Sequence, residues 1–106
     1  MVARGDIWLV ELDRASRTSQ DTARPCLVVS PADTNLHLQT VSVAPMSSSS
    51  QPAPFRVPIR LGGKQGLVLI EQVTAVEAAA LKRRLGKANK DTLASVLAKL
   101  QEYFAE

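Results

Sequence analysis

The stretch TARPCLVVS, residues 22–30, sets an arginine and a proline directly before the apolar run Cys26, Leu27, Val28, Val29. A short β-branched run of this kind reads as a buried strand. Pro25 has no N–H to give to a ladder, and it pushes the preceding residue towards extended backbone. Arg24 is therefore expected at a strand entrance, its side chain held in a defined direction. A guanidinium placed there can present charge to a ligand.

Before this run, DIWLVELD (6–13) is apolar enough for a strand buried on much of both faces. From Asp13 the polar segment DRASRTSQDTA has no helical or alternating period and is expected to be a mobile loop. After it, TVSVAPM (40–46) is a further strand, and PADTNLHLQ (31–39) between the two reads as a turn marked by Pro31 and Asn35. SSSSQPAP (47–54) is too polar to bury. FRVPIR then alternates Phe55, Val57 and Ile59 against Arg56, Pro58 and Arg60, with Pro58 marking an edge strand. LGGKQ turns the chain into GLVLIEQV (66–73), a hairpin arm read with Leu67, Leu69 and Glu71 on one face and Val68, Ile70 and Gln72 on the other.

The period then changes. VEAAALKRRLG (76–86) reads as a short helix or turn. In DTLASVLAKLQEYFAE (91–106), Leu93, Val96, Leu97, Leu100 and Phe104 recur at spacings of three and four, with Asn89 or Asp91 as N-cap. Five or six short strands and one terminal helix imply an α+β fold, a curled antiparallel sheet or small barrel, in a single domain spanning residues 1–106.

Hydrophobic content of 45% with 22% charged residues fits an ordinary soluble domain, and no run approaches the roughly 20 apolar residues of a membrane span. The N-terminus lacks the apolar region and cleavage site of a signal peptide, so a cytoplasmic location is expected. A net charge of +3 permits an anionic partner without requiring one. The single cysteine, Cys26, reads as a small core residue, and the single histidine, His37, as a solvated loop residue. No carboxylate cluster with metal spacing and no glycine-rich strand-to-helix loop is visible, so neither metal nor cofactor is expected.

What remains is a set of polar groups at strand ends: Arg24, then Ser47 and Ser48, then Glu71 and Gln72. Curvature of the sheet can gather these ends into one cleft. An arginine facing a carboxylate is most often a structural ion pair. The same groups also suit phosphoryl transfer on RNA, where a guanidinium stabilises charge and a carboxylate moves a proton.

RGDIWLVELD, ARPCLVVSP, TVSVAPMSS and GLVLIEQVTAVE, in this order and over nearly the whole chain, resemble the MazF/PemK (Kid) family of toxin endoribonucleases. The resemblance implies an SH3-like, CcdB/Kid-like barrel, a homodimer, a cognate antitoxin partner, and metal-independent, sequence-selective cleavage of single-stranded RNA. By the same resemblance Arg24 is the catalytic arginine of the Arg-Pro motif. Ser47 stands for a catalytic threonine, losing the methyl that restricts the rotamer, and Glu71 occupies an acidic position that can act as acid or base. Thr18, Ser19, Gln20, Ser48, Phe55, Arg56 and Gln72 are the expected RNA contacts. Two residues depart from the pattern: Ser19 stands where a glutamate is usual, and Arg17 where a glycine is. Two other readings of the same fold are a CcdB-like gyrase-binding toxin and a weakened relative that only dimerises and binds antitoxin. Arg24 and the Ser47 hydroxyl argue against the first, and Ser19 favours the second. Lys82, Arg83, Arg84, Lys87 and Lys90 form a basic run read as a solvated face, with a phosphate-tracking rim as the functional alternative. Phe55 reads as the first core residue of its strand, or else as a stacking surface for a base.

Overall fold

The computed structural model describes residues 2–12 and 23–105. Seven strands, β1 (Asp6–Glu11), β2 (Ala23–Val28), β3 (Thr40–Ser47), β4 (Arg56–Leu61), β5 (Lys64–Leu69), β6 (Thr74–Glu77) and β7 (Leu81–Lys87), form one sheet. Its order is β4-β5-β3-β2-β1-β7, with β6 added to β3, and every pairing is antiparallel. Helix α1 (Ala32–His37) joins β2 to β3, and helix α2 (Lys90–Phe104) ends the chain. This is the curled antiparallel sheet with a terminal helix expected from the strand and helix patterns.

The sheet buries both faces. Ile7, Leu27, Val29, Ala44, Val57, Ile59, Val68 and Ile70 pack with Val96 of α2 in one cluster, whereas Val10, Cys26, Val28, Val41, Val43 and Ala80 form a second. Burial on both faces explains why β1 to β3 read as nearly continuous apolar runs. The curl brings the two edge strands together, since a Cβ at Gly86 of β7 would lie 3.2 Å from Leu61 Cδ1 of β4.

Pro25 lies within β2 rather than before it. In an antiparallel ladder a residue's N–H and C=O point to the same neighbour, and that neighbour alternates along the chain. Val29 N–H donates to Ser42 O of β3, so Leu27 and Pro25 also face β3, while Arg24, Cys26 and Val28 face β1. The missing N–H therefore costs nothing on the β1 side, where Leu9 pairs with Pro25. On the β3 side the pairing stops at Cys26 opposite Pro45, and β3 turns to β5, with Met46 opposite Val68 and Ser47 opposite Leu67.

Several local expectations differ from the structure. The segment 31–39 holds helix α1 rather than a simple turn, because Asn35 is buried and its amide donates to Val2 O and Ser30 O while accepting from Ser30 Oγ. Strand β5 ends at Leu69, and Ile70–Gln72 is a 3₁₀ turn, so the two-face alternation does not extend to Glu71 and Gln72. Within 76–86 only Ala78–Ala80 is helical, as a 3₁₀ turn that buries Ala80, and the basic run that follows is edge strand β7. Three consecutive charged residues, Lys82, Arg83 and Arg84, separate Leu81 from Leu85, so no strand alternation shows in the sequence, and such residues suit a solvent-facing edge. In α2, Asn89 is the cap, its side chain accepting from Thr92 N–H at 2.7 Å. Phe104, expected on the buried stripe, is 67% exposed because it lies one turn beyond the sheet contact made by Val96 and Leu100.

This burial pattern gives a stability contrast. Val96→Ala opens a cavity between α2 and the sheet and should cost about 2 kcal/mol, whereas Phe104→Ala should change stability by less than about 0.5 kcal/mol. Urea denaturation of both variants measures the difference, and equal losses would contradict the packing described.

Candidate functional site

With its ladder donor replaced by a proline ring, Met46 O is left without a β2 partner, and Arg24 Nη2 donates to it at 3.1 Å. The Arg-Pro pair thus works as a unit: the proline opens the gap between β2 and β3, and the arginine side chain bridges it. Ser47, the next residue and the last of β3, turns the chain. Its Oγ accepts from Ser49 N–H at 3.3 Å and from Ser50 Oγ at 2.8 Å, which leaves the Ser47 proton free to be donated elsewhere. Ser48 is exposed beside it.

A second group lies across β4 and the 3₁₀ turn. Arg56 donates through Nη2 to Glu71 Oε2 at 2.7 Å and through Nε to the same oxygen at 3.2 Å, and its Nη1 holds Gln51 O at 2.8 Å. The hydrogen bond from Arg56 draws the Glu71 carboxyl below the ordinary glutamate range, partly opposed by burial. Its other oxygen, Oε1, is buried without a hydrogen-bond partner. Phe55 is 41% exposed rather than a core residue, and its ring lies 5.6 Å from the Arg56 guanidinium carbon. Gln72 closes the same 3₁₀ turn with its side chain in solvent. The strand-end residues therefore fall into two sets, Arg24 with Ser47 and Ser48, and Arg56 with Glu71, Phe55 and Gln72. Thr18, Ser19 and Gln20 lie outside the described residues.

Cys26 is fully buried, and desolvation pushes its thiol up to about 12 against the opposing charge of Arg24. It is a core residue without nucleophilic character. His37 is exposed on the last turn of α1, its Nδ1 3.0 Å from Asp33 O. Among the described residues no group of three His, Cys, Asp or Glu side chains could hold a metal ion, and no helix is long and apolar enough to cross a membrane.

Sequence reasoning passed over the walls of a cavity beside Ser47. Pro25, Met46, Ser47 and Ser48 line one side, and Leu61, Lys64, Gln65 and Gly66 of the β4–β5 hairpin line the other, enclosing about 190 Å³. The signal for it was the Gly62-Gly63 pair. Both residues have positive φ, 58° and 81°, so the turn is a two-residue one that sets Leu61 opposite Lys64 and brings the following residues back along β4.

Comparison with solved structures gives the class first. A mycobacterial endoribonuclease in complex with its cognate antitoxin superposes with a TM-score of 0.80 at 19% identity, covering 96% of this chain and 93% of that one, which establishes a shared fold. The MazF of a MazE–MazF complex from Deinococcus radiodurans superposes with a TM-score of 0.77 at 26% identity, covering 99% and 95%. A candidate toxin of Mycobacterium tuberculosis is 31% identical over 77 residues, 72% of this chain and 71% of that protein. The family described as PemK-like, MazF-like toxin of type II toxin-antitoxin system matches residues 3–104, and the chain belongs to it.

The Arg56–Glu71 pair makes stability depend on pH with a definite sign. Unfolded, Glu71 recovers the ordinary glutamate value; folded, it sits lower. Between the two values the unfolded chain binds the proton and the native one does not, so the pair's contribution is complete above the ordinary range and fades as pH falls through the lowered value. Glu71→Gln should lose stability at neutral pH, and its deficit relative to the parent should shrink as pH falls through and below the ordinary glutamate range. Denaturation midpoints measured across that range check this, and a deficit independent of pH would count against the ion pair.

Proposed function

We propose that this chain is a metal-independent endoribonuclease that cuts single-stranded RNA at selected sequences and is neutralised by a cognate antitoxin. One observation carries the reading. The Arg24 guanidinium is tied to the carbonyl directly before Ser47, so a permanent cation and a donor hydroxyl share one short piece of backbone at the rim of a cleft. Charge-bearing donors fixed before the reaction suit phosphoryl transfer because they need no reorganisation as charge develops.

In the proposed reaction the 2′-oxygen of the RNA attacks the adjacent phosphorus and its proton passes to solvent. The bond from phosphorus to the 5′-oxygen breaks, and that oxygen takes up a proton from solvent, so the proton count is unchanged. The ends are a 2′,3′-cyclic phosphate and a 5′-hydroxyl, with no water consumed. Arg24 offsets the charge on the non-bridging oxygens and Ser47 donates to one of them. Glu71, with one oxygen on Arg56 and the other buried, acts as a positioning residue that fixes Arg56. Ser48, Phe55 and Gln72 then form an exposed track for the strand beside the half-buried Arg56, and contacts from Thr18, Ser19 and Gln20 are proposed with them. Family membership, and the complexes formed by the mycobacterial endoribonuclease and the Deinococcus MazF, support an antitoxin partner. A homodimer in the cytoplasm, where mRNA is available, completes the proposal.

An RNA oligonucleotide containing a mapped cut site, with one 2′-deoxy sugar directly 5′ of the scissile phosphate, should bind and stay whole, and cleavage of the all-ribose strand should persist in excess EDTA. Arg24→Ala should fold and cut at least about 100-fold more slowly. Cleavage of the deoxy strand, or EDTA inhibition reversed by magnesium, would replace the 2′-oxygen with a metal-activated water. Sedimentation equilibrium at micromolar concentration should return twice the chain mass of 11.4 kDa, and a monomer there would remove the dimer.

A further inference from the structure

The basic run after Ala80 takes no part in the reaction just described. From Ala78 to Lys90 the chain carries five cations, Lys82, Arg83, Arg84, Lys87 and Lys90, and no acidic residue. The first four lie in β7, and all of them are exposed. Arg84 has an ion-pair partner, Asp6 at 3.4 Å, whereas among the described residues no carboxylate pairs with Lys82, Arg83 or Lys87. Like charges massed this closely repel one another and oppose compaction. Guarding a sheet edge against stray pairing does not require this, since scattered charges of either sign serve. A surface of one sign without compensation fits an anionic partner instead.

Strand β7 adjoins the cleft beside Ser47 at two places. Leu9 of β1 pairs with Pro25 of β2 on one side and with Arg83 of β7 on the other, so the three residues form a row across the sheet on one face. Pro25 lines the cleft, and Arg83 stands two strand spacings from it, about 10 Å. Further along β7, Gly86 lies against Leu61, which lines the opposite wall of the same cleft. The ladder to β1 shifts register between Ile7 and Trp8 and again between Leu9 and Val10, adding Leu85 and Lys82 as extra residues. Such bulges bend and twist an edge strand. Cations are thereby presented on both of its faces, Arg84 on that of Trp8 and Arg83 on that of Leu9.

We propose that β7 is an accessory binding strand for the sugar–phosphate backbone of single-stranded RNA, holding the part of the strand that runs on beyond the cleft. The proposal rests on the endoribonuclease reading for its choice of polyanion. A nucleic-acid backbone offers a regular line of phosphates, and contacts to it position a strand without reading its sequence. That suits exposed lysines and arginines on a strand that holds no aromatic residue for a base to stack on. Long RNA is therefore held more tightly, and the choice of cut site stays with the cleft. An acidic peptide would meet the same charge, but the row from Pro25 to Arg83 sets these cations in line with the cleft that a cut strand must leave.

Binding is measured with the full chain and labelled 2′-O-methyl RNA, which cannot be cut through its 2′-oxygen, in strands of about 30 and about six nucleotides. For the parent, log K should fall with log salt more steeply for the long strand than for the short one, by about 2, because each of three phosphate contacts adds about 0.7. This comparison needs no variant, so a misfolded mutant leaves the test intact. Lys82→Gln, Arg83→Gln and Lys87→Gln together should remove the excess slope and weaken the long strand about tenfold at about 0.1 M salt. With a long ribose strand the same change should raise KM and leave kcat and the map of cut ends unaltered. Lys82→Arg, Arg83→Lys and Lys87→Arg together should keep the parent's slope, which a purely structural role would not predict. Equal slopes for both lengths, with cutting intact, overturn the accessory strand while the nuclease reading stands. An excess slope lost in the glutamine variant, without cutting of any ribose strand, supports the accessory strand and removes the nuclease reading. RNA neither bound nor cut overturns both. Unchanged slopes combined with weakened inhibition of the glutamine variant by an acidic antitoxin peptide would assign β7 to the antitoxin and overturn the RNA contact.

Discussion

A single missing hydrogen shapes the working end of this protein. Because the Pro25 nitrogen faces β3 and carries no proton, the β2–β3 ladder cannot continue past Cys26 and Pro45, and β3 is released towards β5. The same absence leaves Met46 O unclaimed, and a buried or half-buried carbonyl without a donor is costly. Arg24 supplies that donor, which takes one arm of its guanidinium and aims the rest. The direction of the cation, the opening of the cleft and the exit of β3 at Ser47 all follow from one proline.

The second polar set is organised differently. Arg56 and Glu71 are only about one-fifth exposed, and two guanidinium nitrogens converge on one carboxylate oxygen. Removing one partner of such a pair costs more than breaking a solvent-exposed bridge, because the other charge is left half-buried and unpaired. Its role is to pin the 3₁₀ turn after β5 against the start of β4, so that Phe55 and Gln72 stand outward on a firm base. A rigid support behind and adaptable side chains in front suit recognition of a flexible strand.

The fold was legible wherever burial imposes a pattern. β1, β2 and β3 run as apolar stretches because both sheet faces are covered, and α2 shows its three-and-four spacing because one side lies on the sheet. Asn89 was readable as a cap from residue type alone. Legibility failed where tertiary contact overrides local preference: three alanines suggest a helix, yet Ala80 is drawn into the core and β7 continues as an edge strand. Asn35 signals a turn, but its buried amide bonds Ser30 twice and reaches Val2 O near the start of the chain, and α1 winds around these contacts. At the site, Arg24 and Ser47 could be picked out as strand-end polar groups. The partner of Glu71 and the cavity at the hairpin tip depend on which strand lies beside which, and no local pattern encodes that.

The edges of the sheet carry a consequence for how the chain can associate. In the β4–β5 hairpin, Leu61, Ile59 and Val57 turn their polar groups inward to β5, so those of Arg60, Pro58 and Arg56 point outward. Pro58 has no donor, and the Arg56 N–H is spent on Ala53 O, leaving Arg60 alone to offer an N–H to an incoming backbone. At the other border, which the curl brings close to β4, β7 presents Lys82, Arg83, Arg84 and Lys87, which would meet their own kind in a second copy. Neither of these two borders is a ready template on which another sheet grows. Along them an extended segment of another protein is better captured in a cleft than added as an eighth strand.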